Sequence, residues 1–338
     1  MVKKHILIVP GDGIGQEVTA VGKKVLEKIA AKFGHEFTYD EALIGHEAIE
    51  ATGDPLPAET LVKMKASDAV LFGAVGHPKY DNDPSAKVRP EQGLLRMRKE
   101  LGLYANLRPI KLFDELLSAS SIKPEILKGA DILFFRELTG DIYFGEKGRK
   151  NNGDTAYDVA EYSRYEVERI GRKAFEAART RKKHLVSVDK ANVLESSRLW
   201  REEIQKLALE YPDVTVEYQF VDATAMLLIK DPKRFDVVVT ANLFGDILSD
   251  LGGALMGFMY GFYFQLPQKK NVFVKEEKVF SFVKVAQKRI YESVNEQDNQ
   301  EVVEEELNQI LDKISKSGYD SLSKYEKRRL FKASQKNE

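Results

Sequence analysis

Short apolar runs at residues 6–9, 69–72, 132–135, 184–188 and 237–239 alternate along the chain with stretches of helical periodicity, such as 17–33 and 165–179. Runs of that length read as strands and the intervening periodic stretches as helices, which predicts an α/β fold. The unbroken Val237-Val-Val239 reads as a strand buried on both faces. A Thr240-Ala-Asn242 turn follows it and supplies a cap for the next helix, on which Asp246 and Asp250 stand four residues apart and therefore share one face. Two neighbouring carboxylates repel unless a cation lies between them, and oxygen-only ligands of this kind suit Mg²⁺ or Mn²⁺ better than Zn²⁺. The competing reading is a solvated acidic face at a helix start, which the macrodipole also favours.

The loop Pro10-Gly-Asp-Gly-Ile-Gly15 opens a helix as phosphate loops do, but its glycine spacing is not that of the dinucleotide fingerprint, so a Rossmann assignment fails. A tight turn that needs positive φ explains the glycines as well as a cofactor contact does. Arg98, Arg108 and Arg136 could together hold a small dicarboxylate, because guanidinium forks bind carboxylates bidentately. Arg136 follows the run 132–135 directly, where α/β sheets place their ligands. Lys190, Tyr143 and Asp222 are further polar residues set in apolar or glycine-rich surroundings.

Composition narrows the partners. With 52 basic and 53 acidic residues the net charge is −1, which provides no field to recruit nucleic acid or an anionic membrane and leaves small molecules as the default. The absence of cysteine excludes disulfides, thiolate metal sites and a cysteine nucleophile, and permits the cytosol. The first ten residues run from a short strand into a turn and do not read as a signal peptide. At 338 residues two domains are expected.

Residues 4–250 resemble the isocitrate/isopropylmalate dehydrogenase family of metal-dependent β-decarboxylating enzymes. The resemblance rests on Pro10-Gly-Asp-Gly-Ile-Gly15, Arg89-Pro-Glu91, Ala105-Asn-Leu-Arg-Pro109, Arg136-Glu-Leu-Thr-Gly-Asp-Ile-Tyr-Phe-Gly145, Asp189-Lys-Ala-Asn192 and Asn242-Leu-Phe-Gly-Asp-Ile-Leu-Ser-Asp250. Glu91, Leu94, Leu95 and Arg98 match the Glu-x-x-Leu-Leu-x-x-Arg signature of the isopropylmalate branch, whose leucines face the isopropyl group. The resemblance implies that family's own two-domain α/β fold, an NAD-dependent oxidative decarboxylation serving leucine biosynthesis, a cytoplasmic location and a homodimer joined through the second domain. It implies that Arg98, Arg108 and Arg136 hold the malate carboxylates. Asp246, Asp250 and Asp222 would bind Mg²⁺ or Mn²⁺, Asp222 crossing the dimer interface and also touching substrate. Lys190 would take the hydroxyl proton and Tyr143 would protonate the enolate. The segment 76–91 would be the cofactor loop, with Gly76, Pro78, Glu91 and Ile14 as NAD contacts. A bound cation beside Lys190 would lower its pKa, as a base working near neutrality requires.

The resemblance is expected to stop after Asp250. The family's adenosine-binding histidine loop has no counterpart in any register, since the last of the five histidines is His184. Residues 1–99 then form the leading half of a cofactor domain whose second half is missing, and residues 100–250 form the substrate, metal and dimer domain. Residues 251–264, with Gly253, Gly257 and Gly261 at four-residue spacing, resemble the last membrane helix of rhomboid-like proteins but are too short to span a bilayer. Residues 265–338 read as an α-helical tail. There Val303, Leu307, Ile310, Leu311 and Ile314 form an amphipathic stripe, Gly318 is a helix stop, and Ser323 to Glu326 has capping-box spacing. The chain thus reads as chimeric, which keeps two alternatives open: a protein that binds metal and substrate but not NAD, and a membrane-associated interaction module.

Overall fold

The computed structural model describes residues 1–255 apart from 82, 84, 113–116, 118, 119 and 121, together with Lys313. The expected rhomboid-like segment beyond residue 255 and the stripe and caps of the tail lie outside the described residues.

The chain opens with β1 (Lys3–Gly11), α1 (Gly15–Phe33), β2 (Glu36–Glu41), α2 (His46–Thr52), α3 (Ala58–Ala66) and β3 (Ala69–Ala74). The three strands form a parallel sheet in the order β2-β1-β3. α1 ends where Gly34 takes up a left-handed φ of 65° and donates its N–H to the Ala30 carbonyl, a conformation that favours glycine. The short α4 (Pro78–Asp81) and α5 (Pro90–Glu100) follow. Pro90 starts α5 at a position where its missing N–H costs nothing. Leu7, Val9, Ile44, Leu56, Met64 and Met97 pack into the core beneath this sheet.

Next come β4 (Ala105–Lys111), α6 (Pro124–Leu127), β5 (Asp131–Glu137), β6 (Lys147–Lys150), β7 (Thr155–Asp158), α7 (Arg164–Arg179), β8 (His184–Asp189), α8 (Glu195–Glu210), β9 (Thr215–Phe220), α9 (Val221–Lys230), β10 (Val237–Thr240) and α10 (Asn242–Leu255). Strands β4-β5-β10-β8-β9 form the second sheet, all parallel except β4, while β6 and β7 make a separate antiparallel pair. β4 contains Pro109 and lies at the sheet edge, where the missing ladder donor is tolerated. All four residues of β10 are buried. Val237 and Val239 join the cluster of Phe175, Trp200 and Ile204 on the α7–α8 side, and Val238 joins that of Phe134, Leu228 and Leu248 on the other. The period of two along the strand thus serves both layers.

α7 begins with a capping box in which the Ser163 backbone N–H donates to Glu166 at 2.7 Å. It meets α8 at Gly171, where an added Cβ would lie 2.6 Å from Leu207 Cδ1 and 2.9 Å from Ile204 Cδ1. Gly171→Ala is therefore expected to destabilise the chain by about 1–3 kcal/mol through overpacking. Chemical denaturation checks this, and an unchanged midpoint would show that the two helices can part freely.

α10 does not end at Asp250 but runs on to Leu255. Gly252 lies close over Ile110 of β4, with room for no Cβ: one placed there would be 2.6 Å from Ile110 Cδ1. No helix among the described residues is long and apolar enough to cross a membrane.

Candidate active site

The carboxyl ends of β5, β8, β9 and β10 carry Arg136, Lys190, Asp222 and Asn242, which is where open parallel sheets present side chains to a ligand. Arg136 is 2% exposed, and its partners come from α10. Its Nε and Nη2 donate to Asn242 Oδ1 at 3.0 and 2.8 Å, and its Nη1 pairs with Asp246. Arg108 of β4 donates through Nε to Asn106 Oδ1 at 2.7 Å and through Nη1 to Ser249 Oγ at 2.9 Å, while pairing with Asp250 and lying 3.6 Å from Asp246. Both helix carboxylates therefore converge on one guanidinium. Tyr143 donates its hydroxyl to the other oxygen of Asp246 at 3.0 Å.

Arg98 of α5 joins this group from the first sheet's side and interacts electrostatically with Arg136, Asp246, Arg108 and Tyr143. Its guanidinium has no hydrogen-bond acceptor among the described residues. Burial, reinforced by the neighbouring Arg136, pulls its pKa below the ordinary arginine value. Burial does the same to Arg136, against the opposing pull of Asp246. Three guanidiniums thus face two carboxylates, and the surplus charge has no hydrogen-bonded partner among the described residues. Burial, helped by the hydrogen bond to Asp246, raises the Tyr143 phenol, which stays protonated through neutral pH.

Asp222 does not gather with Asp246 and Asp250 around one point. Its carboxylate accepts from Lys190 Nζ at 2.6 Å, and that bond holds its pKa below the ordinary carboxylate range. The pair is intact from neutral pH down through that range and is lost only as pH falls through the lowered value. Among the described residues no three acidic, histidine or cysteine side chains of the chain gather around one point to hold a metal. The expected set of Asp222, Asp246 and Asp250 is not assembled within one chain. Asp246 and Asp250 do fit a hard divalent cation, since they are oxygen donors already gathered around one positive group, Arg108.

Of the expected cofactor contacts, Gly76 is held by Asp12. This carboxylate, 2% exposed, accepts the backbone N–H groups of His46 at 2.9 Å, Glu47 at 3.2 Å and Gly76 at 2.9 Å. It ties the glycine loop to the start of α2 and to the loop after β3. Gly11 and Gly13 take φ of 71° and 51°, so the turn itself demands glycine there. Ile14 precedes α1, Gly76 lies beside Glu91, Pro78 opens α4, and Glu91 stands in the first turn of α5. Leu94 packs partly against the core under the first sheet, and Leu95 is half-buried.

The Thr240-Ala-Asn242 turn does not cap α10 as expected: the Thr240 hydroxyl donates to the Val188 carbonyl, and Asn242 is engaged elsewhere. Its side chain turns inward to Arg136, and the helix start is satisfied instead by Tyr162 Oη, which accepts the Asn242 N–H at 2.9 Å, and by Asp141, which accepts the Leu243 N–H at 3.0 Å. Sequence reasoning passed over Asp12, Asn106, Asn242 and Ser249 as site builders. The local signals were an acid flanked by two glycines at Asp12 and an asparagine two residues before Arg108, on its face of the strand; Asn242 and Ser249 depend on which strands become neighbours.

The site is thus a carboxylate pair on one helix interleaved with guanidiniums, of which Arg136 is buried near the end of β5. The sequence model of the isocitrate/isopropylmalate dehydrogenase family matches residues 5–262, and the chain belongs to that family. Its members are decarboxylating dehydrogenases. A 3-isopropylmalate dehydrogenase of Shouchella clausii (strain KSM-K16) is 57% identical over 258 residues, which is 75% of this chain and 71% of the relative. That of Bacteroides fragilis (strain YCH46) is 54% identical over 254 residues, with the same shares. The crystal structure of isocitrate dehydrogenase from Methylococcus capsulatus superimposes with a TM-score of 0.67 at 34% identity, covering 76% of this chain and 72% of that one. The match runs past Asp250 to residue 262, so residues 251–262 belong to it, contrary to the expected break and rhomboid-like helix. Residues 290–336 match a family of unknown function, DUF6576.

Proposed function

We propose that the chain binds 3-isopropylmalate with Mg²⁺ or Mn²⁺ and carries out its NAD-dependent oxidative decarboxylation as a homodimer in the cytoplasm. The observation that carries this reading is Arg98, without a hydrogen-bonded acceptor among the described residues, beside Arg108 and Arg136. The three form a cationic wall for a dicarboxylate, and Leu94 and Leu95 lie four and three residues before Arg98, on its side of α5, to meet a branched apolar group. A third carboxylate on the substrate would find leucine there.

When bound, the divalent ion polarises the substrate alcohol and the nicotinamide accepts the hydride. The chain's own residues do the rest. The arginines orient the two carboxylates, Lys190 takes the hydroxyl proton, and the protonated Tyr143 delivers a proton to the carbon that CO₂ has left. Lys190 and Asp222 are bonded to each other, and Asp222 does not gather with Asp246 and Asp250 around one point among the described residues. We therefore propose that both reach the site from a partner subunit as one unit. Met226 and Ile229 of α9 and Ile247 of α10 are 60%, 41% and 59% exposed, and such an interface would bury them.

The NAD end is weaker in this reading. Residues 263–338 lie beyond the family match and hold no histidine, and so supply no adenosine-binding histidine loop. Without that anchor the nicotinamide loses both affinity and placement, and NAD-supported turnover of 3-isopropylmalate is expected to fall at least about a hundredfold below that of the Shouchella clausii relative. Steady-state assays of the two side by side test this, and equal specific activity would contradict it. Measurable Mg²⁺-dependent binding of 3-isopropylmalate with no NAD binding would favour the reading of a substrate-binding, non-catalytic protein.

A further inference from the structure

The carboxylates that would hold the cation, Asp246 and Asp250, are the same ones that now neutralise Arg136 and Arg108. When they turn to a cation, the two guanidiniums lose their charged partners at the moment they must be aimed at the substrate. A long side chain released in this way regains its rotamer freedom and binds an anion less well.

Each guanidinium also has a neutral holder. Arg136 Nε and Nη2 both donate to Asn242 Oδ1, at 3.0 and 2.8 Å. Arg108 Nε donates to Asn106 Oδ1 at 2.7 Å and Nη1 to Ser249 Oγ at 2.9 Å. None of these acceptors carries a charge that a divalent cation would draw away. Their orientation is determined by chemistry, because arginine only donates and the amide oxygens must therefore face it. Asn242 Nδ2 donates in turn to the Gly140 carbonyl at 3.2 Å, and the Ser249 hydroxyl to the Gly245 carbonyl at 2.6 Å, which leaves their lone pairs toward the guanidiniums. Asn242 is 0% and Ser249 is 4% exposed, so water competes little at these two acceptors, while Asn106 is half-buried. Asn106 lies directly opposite Arg136 in the β4–β5 register, which brings both arginines and their amides to one face of the sheet.

We propose that Asn106, Asn242 and Ser249 are positioning residues that hold Arg108 and Arg136 in place while Asp246 and Asp250 pass from the arginines to the cation. α10 thereby serves both charges, presenting carboxylates to the metal and neutral acceptors to the arginines. The proposal rests on the reading of the site as one for 3-isopropylmalate and a divalent ion.

The test is calorimetric, on the full-length chain, with Mg²⁺ alone and then with 3-isopropylmalate at saturating Mg²⁺. Asn242→Ala and Ser249→Ala are expected to weaken 3-isopropylmalate binding about tenfold or more while Mg²⁺ affinity stays within about twofold, and Ser249→Thr, which keeps the hydroxyl, to restore binding. Should Asn242→Ala fail to fold, Ser249→Ala and Asn106→Ala carry the test. Variants that bind 3-isopropylmalate as the wild type does overturn the proposal alone. So does a loss of Mg²⁺ affinity in step with that of 3-isopropylmalate, because it would mark a general loosening of the site. A wild-type chain that binds Mg²⁺ but not 3-isopropylmalate overturns the functional reading and this inference together.

Discussion

Arg136→Met is expected to weaken Mg²⁺-dependent binding of 3-isopropylmalate by at least about a hundredfold and to lower folding stability by about 3 kcal/mol. Two effects add. The substitution removes the most buried cation of the site, and it strands Asn242 Oδ1, which is left inside without a donor, beside an Asp246 that has lost its closest partner. Arg136→Lys should recover part of the stability but little of the binding, since an ammonium cannot serve Asn242 and Asp246 at once in the guanidinium's fork geometry. Titration calorimetry and urea unfolding of the three proteins check both effects. Binding by the methionine variant within a few-fold of the wild type would mean that the anion sits elsewhere.

Asp12→Ala is expected to be the most damaging change outside the second sheet. The carboxylate is the shared acceptor for three backbone N–H groups, from His46, Glu47 and Gly76, and alanine leaves all three without it. Each buried unsatisfied donor costs about 1–3 kcal/mol, so a total of about 3–5 kcal/mol follows once relaxation of the loop is allowed for. Asp12→Asn retains one acceptor oxygen and should lose about half as much. Asp12 joins α2 to the loop at Gly76 through backbone N–H groups, beside the His46–His77 stacking and the Glu50–Lys79 pair, so in Asp12→Ala the amides of residues 46, 47 and 76 should exchange faster than those of the first sheet. Hydrogen exchange measures this residue by residue, and protection equal to wild type would show that the loops hold without their common anchor.

Much of the architecture was legible because burial on both faces writes itself as unbroken apolar runs. Val237-Val-Val239 and residues 132–135 were read as strands and lie in β10 and β5. β2 and β9 escaped notice because they are strands of mixed polarity, and Glu36–Glu41 has no buried residue at all. β4 escaped for a different reason: Pro109 argues against a strand until the residue is known to sit on an edge. In the site, the grouping of Arg98, Arg108 and Arg136 followed from strand ends and motifs. Asn242 and Ser249 did not, because they act through pairings 106 and 141 residues apart in sequence, with Arg136 and Arg108, whereas Asn106 stands only two residues from Arg108 on the same strand face and was open to notice. Asn242 misled for a local reason as well. An asparagine at a helix start usually caps, and here Asp141 and Tyr162 have taken over that task and freed its side chain. The boundary after Asp250 was read too early, because Gly252 looked like the start of something foreign when its lack of a side chain is what lets α10 close over Ile110.

The most direct test of the account is calorimetric titration of the full-length wild-type chain with 3-isopropylmalate, once with Mg²⁺ and once with a chelator. Saturable binding that requires Mg²⁺ is the predicted result, because the cation takes Asp246 and Asp250 and so frees the guanidinium edges of Arg108 and Arg136, which stay in place, for the substrate. Absence of binding in the presence of Mg²⁺, or equal binding with the chelator, would contradict it.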